Sequence, residues 1–289
     1  FMKKTNLFFI MILFASSAFA QTKGVLQIKG SDTMVNTVQE LAEQYMLKNK
    51  GKKISVTGGG SGTGIAALIN GTCDIANSSR DIKDKEKTAA KGTVNEITLA
   101  IDGLSIIVNK NNSVKELSLA QLAQIFKGEI KNWKELGGKD EKISLYGRQA
   151  NSGTYDFFIE HILNKTDFSG NVKQMNGNAQ IVEAVKNSKS AIGYVGSGYV
   201  KNSSDVKVLN ISKAKGEKSY APTKLNISTN KYPISRPLYQ YVKGNISKEV
   251  KDFISYELGV DGSKLMEEHG FFPISKAQRA MNNKVLGIK

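Results

Sequence analysis

Residues 54–69 read ISVTGGGSGTGIAALI, and this stretch decides the fold class. A short run with β-branched residues, 54–56, leads into a cluster of glycine, serine and threonine, and apolar residues then follow at helical spacing from Ile65. Glycine loses more conformational freedom on folding than any other residue. The cluster is therefore either a flexible linker or a loop where the backbone approaches a ligand closely.

The same arrangement occurs twice more in the chain. Residues 26–28 (LQI) lead into GSDT at 30–33 and then into a helical pattern. Residues 143–145 (ISL) lead into GR at 147–148 and NSGT at 151–154, again followed by a helical pattern. Each strand with its helix is half of a βαβ unit, so the pattern predicts an α/β fold with largely parallel sheets. The repetition favours a ligand loop over a linker.

Two long apolar segments, 99–109 and 232–242, bound the middle of the chain. An insertion between two such extended segments would suit two α/β lobes joined by crossovers. We expect one discontinuous lobe to contain residues 21–100 and 230–289, and the inserted lobe to contain residues 101–229.

The first twenty residues have the pattern of a secretory signal peptide. Lys3 and Lys4 precede an uninterrupted apolar run at 7–14, and residues 18–20 (AFA) supply the small-x-small pattern of a cleavage site before Gln21. The run is too short to span a bilayer, and no cysteine follows it for lipid attachment. We expect a soluble, exported, periplasmic protein.

Composition excludes several classes of protein. Apolar content of 40% and charged content of 23% are typical of a soluble globular chain. A lone cysteine, Cys73, rules out an intramolecular disulfide. The net charge of +15 favours an anionic partner. The lysines are scattered, however, and no stripe of arginine and aromatic residues indicates nucleic-acid binding.

The three loops have the chemistry of an anion site. A helix N-terminus has unpaired backbone N–H groups and a partial positive charge, and serine or threonine adds a hydroxyl group. The glycine cluster lacks the lysine of a P-loop and does not fit G-x-G-x-x-G or G-x-S-x-G. His161 and His269 have no partner at metal-ligand or catalytic-triad spacing. We expect no metal, no cofactor and no catalytic residue.

Arginine is scarce in this chain. Only four of the 41 basic residues are arginine, and two of them, Arg80 and Arg148, lie beside the loops just described. The guanidinium group can donate two parallel hydrogen bonds to a tetrahedral oxyanion.

These loops resemble those of a known family. GSDTM at 30–34, GGGSGTGI at 58–65, DIANSSR at 74–80 and GRQANSGTYDFF at 147–158 are similar to the PstS family of phosphate-binding proteins of bacterial ABC transporters. Further blocks at 125–138, 191–196 and 232–242 extend the resemblance over nearly all of the chain that follows the signal peptide. The resemblance implies a two-lobed type II periplasmic binding protein that buries its anion in the cleft.

The resemblance also implies which residues contact phosphate. They offer hydroxyl groups, backbone N–H groups and guanidinium groups, and they are Ser31, Thr33, Met34, Ser61, Thr63, Ser79, Arg80, Asp102, Arg148, Ser152, Gly153 and Thr154. Its implied partners are inorganic phosphate and the transmembrane subunits of an ABC permease. We expect a monomer without enzymatic activity.

Ser79 departs from some members of the family, which carry a carboxylate there to accept the proton of hydrogen phosphate. Such a carboxylate would repel fully deprotonated sulfate. Asp102 is the best remaining acceptor, with a hinge or strand-end residue as the alternative interpretation. Other hypotheses are a binding protein for sulfate or molybdate, a secreted phosphatase, and a cationic adhesin or nucleic-acid-binding protein.

Overall fold

The computed structural model describes residues 24–201 and 203–288. The predicted signal peptide, residues 1–20, lies outside the described residues. Within the described ranges, no helix is both long enough and apolar enough to cross a membrane.

The strands of the fold are mostly short, with one long exception of sixteen residues, β4. They are β1 (Leu26–Gly30), β2 (Ile54–Thr57), β3 (Ile75–Ser78), β4 (Val94–Asn109), β5 (Glu116–Ser118), β6 (Ser144–Arg148), β7 (Lys173–Met175), β8 (Ala191–Gly196), β9 (Val206–Val208), β10 (Asn210–Ser212) and β11 (Ser235–Lys243).

The helices alternate with strands in the first part of the described chain, whereas three helices follow one another after β11. They are α1 (Val35–Lys48), α2 (Ser61–Ile69), α3 (Asp84–Ala89), α4 (Leu119–Lys127), α5 (Gly153–His161), α6 (Asn178–Asn187), α7 (Lys224–Ser228), α8 (Lys248–Leu258), α9 (Val260–Glu268) and α10 (Lys276–Leu286). Short 3₁₀ turns occur at Trp133–Leu136 and Ser197–Tyr199.

Most strands join one continuous sheet with two halves. In the described part of the chain, nine strands pair in the order β2-β1-β3-β11-β4-β8-β6-β7, with β9 also on β4. The pairs β1–β2, β1–β3, β6–β7 and β6–β8 are parallel. The two central strands, β4 and β11, are antiparallel to each other and to the strands beside them. Parallel pairing is therefore found within each half, as predicted. The antiparallel strands β4 and β11 between the halves make the sheet as a whole mixed.

Each half has its own hydrophobic core, so the chain forms two lobes. One core includes Ile28, Val38 and Phe253, and it lies with β1–β3, α1 and α8. The other includes Phe126 and Phe158, and it lies with β6, β8, α4 and α5. We call these halves the first and second lobes. The predicted boundary residues between them stay a prediction.

The three predicted strand–loop–helix units are confirmed as β1–α1, β2–α2 and β6–α5. Helix α10 is an element that the helical pattern of the sequence did not predict, because most of its residues are exposed and it lacks a wide apolar face. A capping box formed by Ser275 and Gln278 marks its start and is the local sequence signal for it.

Candidate functional site

Three helix N-termini meet where the two lobes face each other. Helix α1 begins after Thr33 and Met34, α2 begins at Ser61, and α5 begins after Ser152. The hydroxyl groups of Thr33 in the first lobe and Thr154 in the second lie 3.2 Å apart. Because each helix N-terminus carries partial positive charge, this junction attracts an anion.

Buried hydroxyl groups surround the junction. Ser61 Oγ accepts a hydrogen bond of 3.0 Å from the backbone N–H of Ser79 and lies 3.4 Å from Ser79 Oγ. Ser152 caps α5 by accepting from the N–H of Thr154 at 3.1 Å. At Gly153, an added Cβ would lie only 2.3 Å from Ser61 Oγ, so glycine is what lets α5 approach the first lobe this closely.

Arg148 is the buried cation of this cluster, with 1% of its surface exposed. Its Nη2 donates to Asp32 Oδ2 at 2.5 Å and to the carbonyl oxygen of Asn176 at 2.9 Å. Its Nε and Nη1 are buried and have no hydrogen-bond partner among the described residues. Two buried guanidinium donors without a partner are costly unless an acceptor binds there.

Arg236 is a second buried arginine at the junction that the sequence analysis did not place in the site. It lies opposite Asp102 in the register of β11 and β4, and its Nε and Nη2 donate to Asp102 Oδ2 at 3.2 and 3.0 Å. Its Nη2 also donates to Thr154 Oγ1 at 3.0 Å. Burial lowers the pKa of Arg236, and the neighbouring Asp102 carboxylate opposes that effect. The sequence offers one signal that Arg236 belongs to the site: it is one of only four arginines in the chain.

Asp102 is fully buried, and donors already occupy both of its oxygens. Oδ1 accepts from the N–H and the hydroxyl group of Ser197 at 3.0 and 3.1 Å, while Oδ2 accepts both bonds from Arg236.

Arg80 lies in a separate ionic cluster beside the junction. Its guanidinium donates to both oxygens of Glu86, at 2.7 and 2.8 Å, and its Nε lies 2.8 Å from Asp156 Oδ2. Lys83 Nζ lies 2.9 Å from the same Asp156 oxygen. Burial alone would raise the pKa of Glu86, yet hydrogen bonding to Arg80 brings that pKa below its usual value. Arg80 thus faces carboxylates that come from both lobes.

The predicted phosphate contacts are brought to one region of the cleft, although their roles stay a prediction. The buried members are Ser31, Thr33, Met34, Ser61, Ser79, Arg80, Asp102, Arg148, Ser152, Gly153 and Thr154. Thr63 is only half-buried, and its hydroxyl group accepts from Asn151 Nδ2 at 3.2 Å.

Metal binding and thiol chemistry are the other functions to consider for the described residues. Among residues 24–201 and 203–288, no group of three or more His, Cys, Asp or Glu side chains could hold a metal ion. Burial raises the pKa of the Cys73 thiol to about 12, so it is protonated at neutral pH. His269 Nε2 lies 2.7 Å from a carboxylate oxygen of Glu40 in an ion-pair geometry outside the cluster.

Sequence comparison relates the chain to binding proteins. The family model of the PBP superfamily domain matches residues 15–259. A phosphate-binding protein PstS of Bacillus subtilis is 33% identical over 267 residues, covering 91% of this chain and 86% of the relative. One from Staphylococcus aureus USA300 is 37% identical over 265 residues, covering 88% and 80% respectively.

Solved structures show the same fold. A phosphate-bound crystal structure from Clostridium perfringens, described as a phosphate ABC transporter substrate-binding protein, matches with a TM-score of 0.79 and 30% identity, covering 87% of this chain and 100% of that one. An ABC-type phosphate transport receptor from Vibrio cholerae matches with a TM-score of 0.71 and 32% identity, covering 86% and 100%. The predicted two-lobed type II binding-protein fold is confirmed. The chain belongs to the PBP superfamily and, within it, to the PstS family of phosphate-binding proteins.

Proposed function

We propose that the chain binds inorganic phosphate in the cleft between its lobes and delivers it to the transmembrane subunits of an ABC permease. The observation that carries this proposal is the buried guanidinium of Arg148, whose Nε and Nη1 have no partner among the described residues. Nε and Nη1 lie on different edges of the guanidinium, and either one can donate a charge-assisted hydrogen bond to an oxygen of a tetrahedral oxyanion. The relatives named as phosphate-binding proteins support phosphate as that anion.

Binding a dianion in a closed cleft requires compensation of its charge, because burying an unpaired charge is very costly. Asp32 offsets much of the Arg148 charge, so the compensation comes from the Nε and Nη1 donors of Arg148 and from the partial positive charges at the N-termini of α1, α2 and α5. Arg236 can only donate, so Thr154 Oγ1 accepts from it and its own proton is available to an acceptor. That acceptor is either Thr33 Oγ1, which lies 3.2 Å away, or an oxygen of a bound phosphate.

The roles of Asp102 and Arg80 in this proposal are supporting ones. The bonds from Ser197 and Arg236 leave the Asp102 carboxylate little capacity to accept the phosphate proton, which supports the interpretation of Asp102 as a hinge residue. Arg80 holds Glu86 and Asp156, which supports a role in shaping the cleft. The hydroxyl group of Ser79 can either donate or accept, so it can face a phosphate oxygen in either protonation state.

We further propose that the protein acts as an exported, periplasmic monomer that neither turns over its ligand nor binds nucleic acid. The signal-peptide pattern at 1–20 and the scattered lysines motivate this part of the proposal. Release of dye from a chromogenic phosphate ester would contradict the absence of turnover. Salt-sensitive retention on DNA would contradict the absence of nucleic-acid binding.

Calorimetric titration of Arg148→Ala with phosphate tests the site. We expect affinity to fall about 10- to 100-fold, since a charge-assisted hydrogen bond to the anion is lost. Arg279→Ala, which removes an exposed arginine on α10, is the matched control and should bind as the wild type does. Retained affinity in Arg148→Ala would contradict the site, and sulfate or molybdate binding as tightly as phosphate would contradict the ligand.

A further inference from the structure

We infer that Asn151 fastens the glycine-rich loop across the cleft and thereby sets how long the anion stays bound. The inference rests on the proposed function, because a bound anion is what the contact would retain. Asn151 belongs to the loop between β6 and α5 in the second lobe. Its partners belong to residues 59–63, at the start of α2 in the first lobe.

Asn151 uses both its side chain and its backbone in this contact. Its Nδ2 donates to the carbonyl oxygen of Gly59 at 2.8 Å and to Thr63 Oγ1 at 3.2 Å. Its own carbonyl oxygen accepts from the N–H of Gly62 at 3.0 Å. One residue of the second lobe therefore holds three positions of the loop, Gly59, Gly62 and Thr63, and we call these three hydrogen bonds the clasp.

The glycines of the loop make room for the clasp. Gly60 has a φ of +92°, and a Cβ added there would lie 2.6 Å from the carbonyl oxygen of Asn151. At Gly62 the corresponding distance would be 3.3 Å. Any larger residue at position 60 would push the two lobes apart at this point. The glycine cluster is thus shaped by the approach of the opposite lobe as well as by the anion.

The clasp lies at the rim of the candidate site. Asn151 is exposed and directly precedes the buried Ser152, while Gly62 directly follows the buried Ser61. A second cross-lobe set lies beside it. Arg148 donates to the Asp32 side chain, and Tyr199 donates to the Asp32 carbonyl oxygen at 2.6 Å.

Opening of the cleft must break the clasp before the anion can leave. The anion enters while the lobes are apart and the clasp has not yet formed, so loss of the clasp should act on dissociation rather than on association. Asn151 makes its described contacts with the first lobe and does not supply a predicted anion contact. It is therefore a positioning residue for residence time.

Dissociation of radiolabelled phosphate into an unlabelled chase tests the clasp. Asn151→Ala removes the two side-chain bonds, and we expect the dissociation rate to rise about tenfold while the association rate stays within about twofold. The ratio of phosphate to sulfate affinity should be unchanged. Asn151→Asp replaces the Nδ2 donor with an oxygen that faces the Gly59 carbonyl, and it should dissociate at least as fast.

The matched control is Asn187→Ala, which removes an exposed asparagine of α6 whose two described side-chain hydrogen bonds are both local ones to Glu183. It should leave both rates unchanged, and thermal melting of each variant verifies the fold. Wild-type dissociation in both Asn151 variants, or a slower association with unchanged dissociation, would overturn the clasp alone. Failure of the wild-type protein to bind phosphate would overturn the proposed function, and the clasp with it.

Discussion

Glu257 on α8 is a buried acid that is connected through Gln240 to strand β3. Its Oε1 accepts from Gln240 Nε2 at 3.1 Å, and within the described residues its Oε2 has no hydrogen-bond partner. Burial raises its pKa well above the ordinary value of 4.5. Gln240 also donates to Asn77 on β3, the strand that leads to Ser79.

The raised pKa makes the stability of the protein depend on pH. The unfolded chain loses the Glu257 proton near the ordinary pKa of 4.5, while the folded chain keeps it to higher pH. The free energy of unfolding should therefore fall as pH rises between the two pKa values, by about 1.4 kcal/mol per pH unit from this group. Glu257→Gln lacks that slope, so its stability relative to the wild type should increase from pH 5 to pH 8 in urea denaturation.

The control for this experiment is Glu160→Gln, which changes an exposed glutamate on α5. Its stability should follow the wild type across the pH range. Parallel pH profiles for Glu257→Gln and the wild type would show that Glu257 is ionised in the folded protein.

Residue-level chemistry was predictable where it lay in a local motif. Arg148 follows directly after a strand and precedes NSGT, so its place beside a helix N-terminus could be predicted. Arg236 lies in an extended segment with no such loop. It reaches the site because β11 pairs with β4 and puts Arg236 opposite Asp102. Pairing between strands 134 residues apart is not encoded in local periodicity.

The helices that begin at the site are held by close contact with the strands beneath them, and α2 shows this most clearly. Gly64 lies inside α2, and a Cβ added there would lie 2.4 Å from the carbonyl oxygen of Lys29 and 2.5 Å from Gly30 Cα, both on β1. Sequence periodicity predicted the strand–loop–helix unit. It could not predict that the fourth residue of the helix must be glycine, because that depends on the spacing between α2 and β1.

Gly64→Ala sets two effects of opposite sign against each other. Alanine favours a helix interior over glycine by about 1 kcal/mol. The contact with two backbone atoms of β1 cannot be relieved by rotating a side chain, and overpacking of this kind typically costs about 1–3 kcal/mol or more. We expect a net destabilisation by about 1–2 kcal/mol, measured by urea denaturation.

The control for the helical propensity is Ala66→Gly, at an exposed position of the same helix. It should cost about 1 kcal/mol, the propensity difference alone. Stabilisation in Gly64→Ala would mean that α2 can move away from β1 without loss.

The two hydrophobic cores of the molecule follow each other along the long strand β4. Ile97 and Leu99 belong to the first core, whereas Leu104 and Ile106 belong to the second. Asp102 lies between these two sets. Together with Arg236 on β11 it forms a fully buried ion pair at the junction of the cores. The pair bonds onward to Ser197 and Thr154 of the second lobe, so this part of β4 and β11 is connected to the candidate site.

A double-mutant cycle on this pair tests whether it holds the junction. Arg236→Met leaves Asp102 as a buried carboxylate with only Ser197 as its described donor, and breaking a buried pair typically costs about 3–5 kcal/mol. Asp102→Asn should also destabilise the protein, because it leaves Arg236 without its counter-charge. The double variant should lose less stability in urea denaturation than the two single variants together, since each single change leaves the other charge buried without its partner.

The exposed pair Lys134–Asp140, with side chains 58% and 69% exposed, is the control and should show much weaker coupling in the same cycle. Equal coupling in the two pairs would mean that the buried pair contributes no more to the junction than a surface contact does.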